Sequence, residues 1–522
     1  MDAGPQFRQD HRSHPLASQP RPVARWFASP ANHFCFPHPF FLTVAPALPM
    51  PAPPRHPFLR LHGLLTALGV LAAVALAVYL ALRPPLLPVP APSHPESLDP
   101  QLRDHLQQLA ALVADSPRDP ARRATLALAF AANGLWAEAR HAFLDVVRIA
   151  PDEPLARLHA AVALQEKPDD PGALSEFESL ARDFPAFPQG WYRFGEASLR
   201  LGNLTNANTA FSRLSSLAPS EWRGPAGVGE VLLRSGQPSN AIPLLQKAID
   251  LDRSARPAWF LLGQALRAVG QTNEARIALA MGAATTRHPM PDPWSERAPE
   301  HMKLLPDQLA QADELGRLGR PDLSIQLLRG ALKFHPDNLG LLNQLAVAFN
   351  RAGQPQQALP LLEPALQKNP GNVALRITRS HALVLVGRPS EGLADATEAA
   401  AASPRTSQAH LAVANACLAL ERDQDAANAL RRAIEADPAN PEIHVELASI
   451  LWRNLDDPPA AAAALSIAIQ INPALPAAHL QLGLLQHHLG DLPAARASLA
   501  NLQLVAPSSP QWRQLQQALA AP

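Results

Sequence analysis

The stretch WYRFGEASLRLGNLTNANTAFSRLSSLAP, Trp191–Pro219, decides how the rest of the chain is read. It holds no acid cluster, no paired cysteines and no glycine loop for phosphate. It does hold a comb of aromatic and small residues: Trp191, Gly195, Ala207 and Phe211, closed by Pro219. Similar combs recur on both sides of it.

Prolines set the register. Pro151, Pro185 and Pro219 are 34 residues apart, as are Pro336, Pro370, Pro404 and Pro438; Pro473 follows after 35 and Pro507 after 34. A fixed period of this size marks a solenoid of stacked units. With the closing proline of each unit numbered 32, position 8 is small: Ala127, Ala161, Gly195, Gly229, Gly263, Ala312, Ala346, Ser380, Ala414 and Gly483. Position 20 is alanine at 139, 173, 207, 241, 275, 358, 426 and 495. Small residues at both places let two antiparallel helices approach closely. Phe143, Phe177, Phe211, Leu245, Leu328 and Leu362 at position 24 fill the space left between them. Gly236, Gly270, Gly319, Gly353, Gly387 and Gly490 fall at position 15, where a first helix ends and a left-handed residue is wanted. Each unit therefore reads as helix, turn, helix, turn. Position 20 is expected to be tight, whereas Ala131, at position 12, is expected on an open face.

Trp191, Phe194, Gly195, Ala207, Phe211 and Pro219 carry the signature of the tetratricopeptide repeat family, which this sequence resembles; Trp259, Leu262, Gly263 and Ala275 repeat its first part. About eleven units run from 120 to 507. The resemblance implies an all-α fold, an α-solenoid superhelix of helix-turn-helix units. It also implies a concave groove lined by positions 2, 5, 9, 12 and 13 that binds proteins or peptides. Glu196, Glu230 and Asp313 stand at position 9, and Arg200, Arg234, Arg317 and Arg351 at position 13. These residues are candidates for a groove ladder that takes an acidic or carboxylate-bearing partner. Against that, acid-then-base at i, i+4 also stabilises a helix on its own, by about 0.2–0.5 kcal/mol. The lysine and asparagine set of the family's chaperone-binding carboxylate clamp is absent.

The sequence outside the array divides further. Residues 1–58 form a proline-rich tail with the composition of disorder, and Met50 within it is a second candidate start. Residues 59–83 contain Gly63–Leu82, twenty residues without a charge, about 30 Å of helix and enough for an uncleaved membrane anchor. Six arginines against two aspartates precede the span, so the positive-inside rule puts the N-terminus in the cytoplasm and the repeats outside it. In a double-membrane bacterium, that is an inner-membrane protein with a periplasmic array. Residues 84–97 read as a stiff proline-rich spacer, 98–119 as a leading helix and 508–522 as a capping helix. His288–Leu304, with four prolines, fits no unit. It splits the array into 120–287, about five repeats, and 305–507, about six. Its Trp294 and Met290 are expected to find a neighbouring surface.

Formal charge is zero overall, so no basic field argues for nucleic acid. There is no GxSxG, HExxH or P-loop. His33, Cys35 and His38 lack a fourth ligand, and Cys417, at position 11, reads as a small core residue. No cofactor, metal or catalytic site is expected, and no stretch is left over for an enzyme domain. The expected function is a membrane-anchored protein-interaction scaffold. By resemblance to envelope proteins of this family, plausible settings are polysaccharide export, outer-membrane or pilus assembly and cytochrome maturation. The alternatives are an accessory subunit of a glycosyltransferase or sulfotransferase system, and a scaffold facing the cytoplasm.

Overall fold

The computed structural model of the chain describes residues 68–78, 86–166, 170–283 and 289–520. The tail over 1–58, with its His33, Cys35 and His38, lies outside these residues, as do the two ends of the apolar segment, 63–67 and 79–82. Two compact units are present, Met1–Ala81 and Leu82–Pro522. In the first, residues 68–78 are helical, with Leu68, Val70, Leu71, Val74, Leu76 and Val78 exposed. Among the described residues, no helix is long and apolar enough to cross a membrane.

The second unit is helical throughout its ordered elements, with no strand among the described residues. A leading helix, Pro100–Asp115, precedes eleven helix pairs. Units one to five run from Pro120–Ala132 with Trp136–Ile149 to Arg256–Ala268 with Thr272–Met281. Units six to eleven run from Leu305–Arg317 with Pro321–Leu332 to Pro476–His488 with Leu492–Val505, and Pro510–Ala520 closes the array.

The comb is the packing interface. Ala127, Ala139, Ala207, Ala241, Ala346, Ala358 and Ala426 have no exposed surface. At position 8 of unit three, a Cβ on Gly195 would come 2.8 Å from the Phe211 ring, so the position-24 aromatic occupies the space the glycine leaves. Position 15 is left-handed in unit after unit, from Gly134 (φ 75°) to Gly490 (φ 79°). Unit nine departs from this: Glu421 takes φ 58° there without being glycine. Not every proline is a stop. Pro243, Pro360 and Pro364 lie inside second helices, all three exposed, where water can take the carbonyl that each leaves unpaired.

Position 4 explains Trp191. Its indole Nε1 donates to the carbonyl of Pro185, position 32 of the unit before, at 3.1 Å. Trp259 does the same to Arg253 (2.9 Å), Arg376 to Pro370 (2.8 Å), and His410 and His479 to Pro404 and Pro473 (2.9 Å each). A ring or guanidinium N–H thus satisfies a carbonyl that the end of the preceding unit would leave open, and it locks the stacking of one unit on the next.

The stack is interrupted once. The second helix of unit five does not stack on the first of unit six. Unit six lies instead near the leading helix: Leu304, just before it, joins Leu98 in one apolar cluster, and His335, after its second helix, faces Asp99 at 3.2 Å. At its other end, the second block returns to the first: Ile277 and Met281 of unit five pack against the Leu502, Val505 and Leu515 cluster. The second block therefore meets the leading helix at one end and unit five at the other.

Residues 86–92 have no regular secondary structure and are held to unit one. Arg123, with no exposed surface, donates to the carbonyls of Leu87 (3.1 Å) and Pro88 (2.8 Å) and pairs with Asp145 (2.9 Å). Ser93 bonds Glu138. This part of the proline-rich spacer is clamped to the array.

Candidate functional site

Two concave surfaces are built by the first helices of the units, one in each block. The groove of units one to four is filled by residues 289–304. They run against the direction of the units, from the fourth to the first, and one unit after another contributes a polar side chain. Arg223 Nη2 donates to the Pro289 carbonyl (3.3 Å) and Gln189 Nε2 to the Pro291 carbonyl (3.2 Å). His159 Nε2 pairs with Asp292 Oδ1 (3.0 Å). Asn133, buried at the end of unit one's first helix, reads the backbone twice: its Nδ2 donates to His301 O (2.7 Å) and its Oδ1 accepts from Lys303 N (2.8 Å). The side chains that anchor the segment are few. Trp294 stacks on Phe143 (centroids 5.8 Å apart, 14° between planes) and on His159 (5.5 Å, 29°). Met290 meets the Tyr192–Phe211 cluster, and His301 approaches His105 at 3.1 Å.

Asp292 is the pivot. It is buried and caps its own turn, accepting from Trp294 N (2.9 Å) and Ser295 N (3.0 Å) on the same Oδ1 that His159 contacts. Burial alone would raise its pKa, but the bonds from His159 and Ser295 outweigh it and bring it down to about 2. Ala131 is accordingly not on an open face: it is partly buried against the cluster that includes Trp294 and Leu304.

The second block keeps an open groove. Over units seven to nine it forms a cavity of about 790 Å³ lined by Val347, Asn350, Ile377, His381, Val384 and Asn415, with Arg351 as its charged residue. Burial lowers the pKa of His381, which keeps its ring neutral.

The position-9 and position-13 residues are engaged within the array. Glu196 accepts from the Tyr192 hydroxyl (2.8 Å) and lies 3.4 Å from Arg193. Arg234 pairs with Glu230 one turn back (2.7 Å) and also donates to Leu199 O of the preceding unit (2.7 Å). Arg317 pairs with Asp313 (3.3 Å) and Glu314 (3.0 Å). Arg351 reaches back a whole unit to the same Asp313 (3.3 Å), and Arg200 lies against Gln165 of the preceding unit. Three of these arginines thus bridge neighbouring units. Of the seven, only Arg351 lines the open groove. Sequence reasoning missed Asn133, His159 and Asp292; the DPW run at 292–294 was visible, but nothing local tied it to residues more than a hundred positions away.

Among the described residues, no group of three or more His, Cys, Asp or Glu could hold a metal. Cys417 is buried, and burial pushes its thiol pKa up, away from the reactive thiolate.

Three tetratricopeptide repeat models match the sequence: one over 124–186, 309–373 and 445–508, a second over 232–294 and 349–416, a third over 407–450. No curated protein matches the chain in sequence. Among solved structures, it is similar to TTC0263, a thermophilic TPR protein of Thermus thermophilus, at 22% identity over 34% of this chain and 98% of that one, TM-score 0.30. PilF of Pseudomonas aeruginosa gives 18% over 40% and 95%, TM-score 0.33, and yeast Tom70 13% over 77% and 94%, TM-score 0.37. Such scores do not superpose one whole superhelix on another, and nothing about partners follows from them. The repeat models and the recurring packing of positions 8, 20 and 24 agree, and the chain belongs to the tetratricopeptide repeat family.

Proposed function

We propose that the chain is a membrane-anchored interaction scaffold whose partner lies in the open groove of units seven to nine. It does no covalent chemistry of its own and gathers a protein near a membrane surface. The observation that carries this reading is the contrast between the two grooves: the first is filled by the chain's own segment, the second is an open cavity of about 790 Å³. Its lining is largely uncharged, with Val347, Ile377 and Val384 beside Asn350 and Asn415. Such a lining suits a segment with apolar side chains and free backbone polar groups rather than a polyanion. The anchor rests on the uncharged run Gly63–Leu82 and on the arginines before it. Together they support an inner-membrane location with the array outside the cytoplasm and a role in envelope assembly or export.

A photo-crosslinking residue at His381, compared with one at Arg432 on a different surface of the array, tests the groove in the intact chain in its own cells. A protein captured at His381 and lost on Asn350→Ala/Asn415→Ala substitution is expected. Equal capture at both sites removes the groove reading. A phosphatase fused after Pro522 tests orientation: activity outside the cytoplasm is expected, and fluorescence of a cytoplasm-only reporter at the same place reverses it.

A further inference from the structure

We propose that the groove of units one to four is a recognition site for an extended, proline-spaced peptide with an Asp-Pro-Trp core, and that residues 289–301 are its tethered occupant, displaced by a partner peptide of the same chemistry. The proposal rests on reading the array as a protein-binding scaffold and adds to it a second, regulated site.

The segment sits in the groove as a ligand sits, not as a core element. Its only regular structure is a three-residue turn, Ser295–Arg297, and a single helical turn, Ala298–His301. Pro289, Pro291, Pro293, Glu296, Arg297, Pro299 and Glu300 remain exposed. The groove holds it largely by its carbonyls, at Pro289, Pro291 and His301, through Arg223, Gln189 and Asn133. The contacts at Pro289 and Pro291 are available to any extended chain, the one at His301 takes the end of the helical turn, and together they set direction and register. Alternating prolines suit this mode because they hold the chain extended and have no N–H to leave unpaired in the groove. Specificity comes from Asp292, held by His159, and Trp294, which packs on the adjoining rings of His159 and Phe143.

The fit leaves room for a better occupant. A cavity of about 190 Å³ remains beside Trp294, lined by Pro120, Ala124, Leu128 and Val146. A partner with a larger apolar residue next to its tryptophan gains contacts there that the tethered segment lacks. The tether works in the opposite sense. It keeps the occupant at a high effective concentration, of millimolar order for a short linker, so a free peptide must exceed that to enter.

The probe is a fluorescein-labelled peptide PMPDPWSERAPEH, the sequence of 289–301. It is titrated by anisotropy against the intact chain and against a chain in which 289–301 is replaced by an equal length of Gly-Ser. Binding to the replaced chain at least about tenfold tighter than to the intact one is expected, because the competitor is gone. Peptides with alanine for the aspartate or for the tryptophan should each lose about tenfold, the loss of one buried anchor. Should the Gly-Ser chain not keep its helical circular dichroism, the intact-length double variant Asp292→Asn/Trp294→Ala takes its place. A folded variant that does not bind the peptide, or intact and variant chains that bind it equally, overturns the proposal. His381 crosslinking is independent of this groove, so failure here leaves the second-block reading standing, and failure there leaves this one.

Discussion

His159 of unit two and Asp292 of the returning segment meet at 3.0 Å, although 133 residues separate them in sequence. The contact joins a groove wall to its occupant, and farther along the same segment His301 meets His105 at 3.1 Å. Burial, with nearby Lys303 and His301, pulls the pKa of His105 down to about 4, and burial also lowers that of His301. Around His301, Glu300 opposes that shift, while Arg297 and Lys303 reinforce it. His159 can donate its Nε2 proton to Asp292 whether charged or neutral.

Docking of 289–304 should therefore weaken in acid. His105 and His301 are held neutral when docked and bind protons more readily when released. The released state then holds more protons between about pH 6.5 and 4, so docking is full above that range and is lost as pH falls through it. Asp292, lowered from its ordinary 3.8 to about 2, keeps its contribution through that range and loses it only as pH falls from about 4 towards 2. Hydrogen exchange of a peptide covering 289–304, corrected for intrinsic rates, should show less protection at about pH 5 than at about pH 7.5. Unchanged protection would remove the histidine latch.

Ala207→Leu should be costly. Ala207 has no exposed surface and lies where the helices of unit three touch. Overpacking such a site costs typically about 1–3 kcal/mol. Asn208, its exposed neighbour, should accept leucine with less than about 0.5 kcal/mol of change. Equal melting losses for the two variants would show that the tight face is elsewhere.

Glu421→Gly should stabilise unit nine. Glu421 holds φ 58°, a conformation that costs a side chain roughly 1–2 kcal/mol and glycine little. A gain of about 1 kcal/mol in the melting of the array is expected. A loss would mean that the glutamate side chain makes a contact worth more than the strain.

Arg123→Ala should be among the most damaging single changes. It strips one of two arginine partners from the buried Asp145, leaving it Arg148 at 2.9 Å, and leaves the Leu87 and Pro88 carbonyls without their donor. Breaking a buried pair costs about 3–5 kcal/mol, and the low end is expected here because Arg148 still compensates the carboxylate. Faster proteolysis at 86–93 should accompany the loss of stability, and an unaltered cleavage pattern would show that this stretch is held by something else.

The repeat register was legible because it is local chemistry repeated many times. Gly195 and Phe211 belong to one unit, and their complementarity shows as spacing. The position-4 staple could have been read the same way, since Trp191, Trp259, Arg376, His410 and His479 all carry an N–H at that place. Three different side chains share the role, so residue identity hides it, and sequence does not show that a carbonyl lies opposite. The groove residues were only half legible. Positions 9 and 13 were picked out by charge, yet charge says nothing about whether Arg234 or Arg351 turns outward to a partner or back to the preceding unit. The course of 289–304 was not legible at all beyond its docking. Four prolines exclude a regular helix pair; they do not say which of the eleven units the segment lies against.

An open solenoid behaves as a spring, since its ends are free and small rotations between units add up to a change of pitch. Here Ile277 and Met281 are held against the Leu502–Leu515 cluster, while Leu98 and Leu304 share an apolar cluster at the opposite junction. Rotation at any one interface must then be compensated at others around the circuit. Such a body resists stretching as a hoop does, and its compliance is concentrated at its two seams. A force applied through the leading helix would load its junction with unit six before it reached units seven to nine.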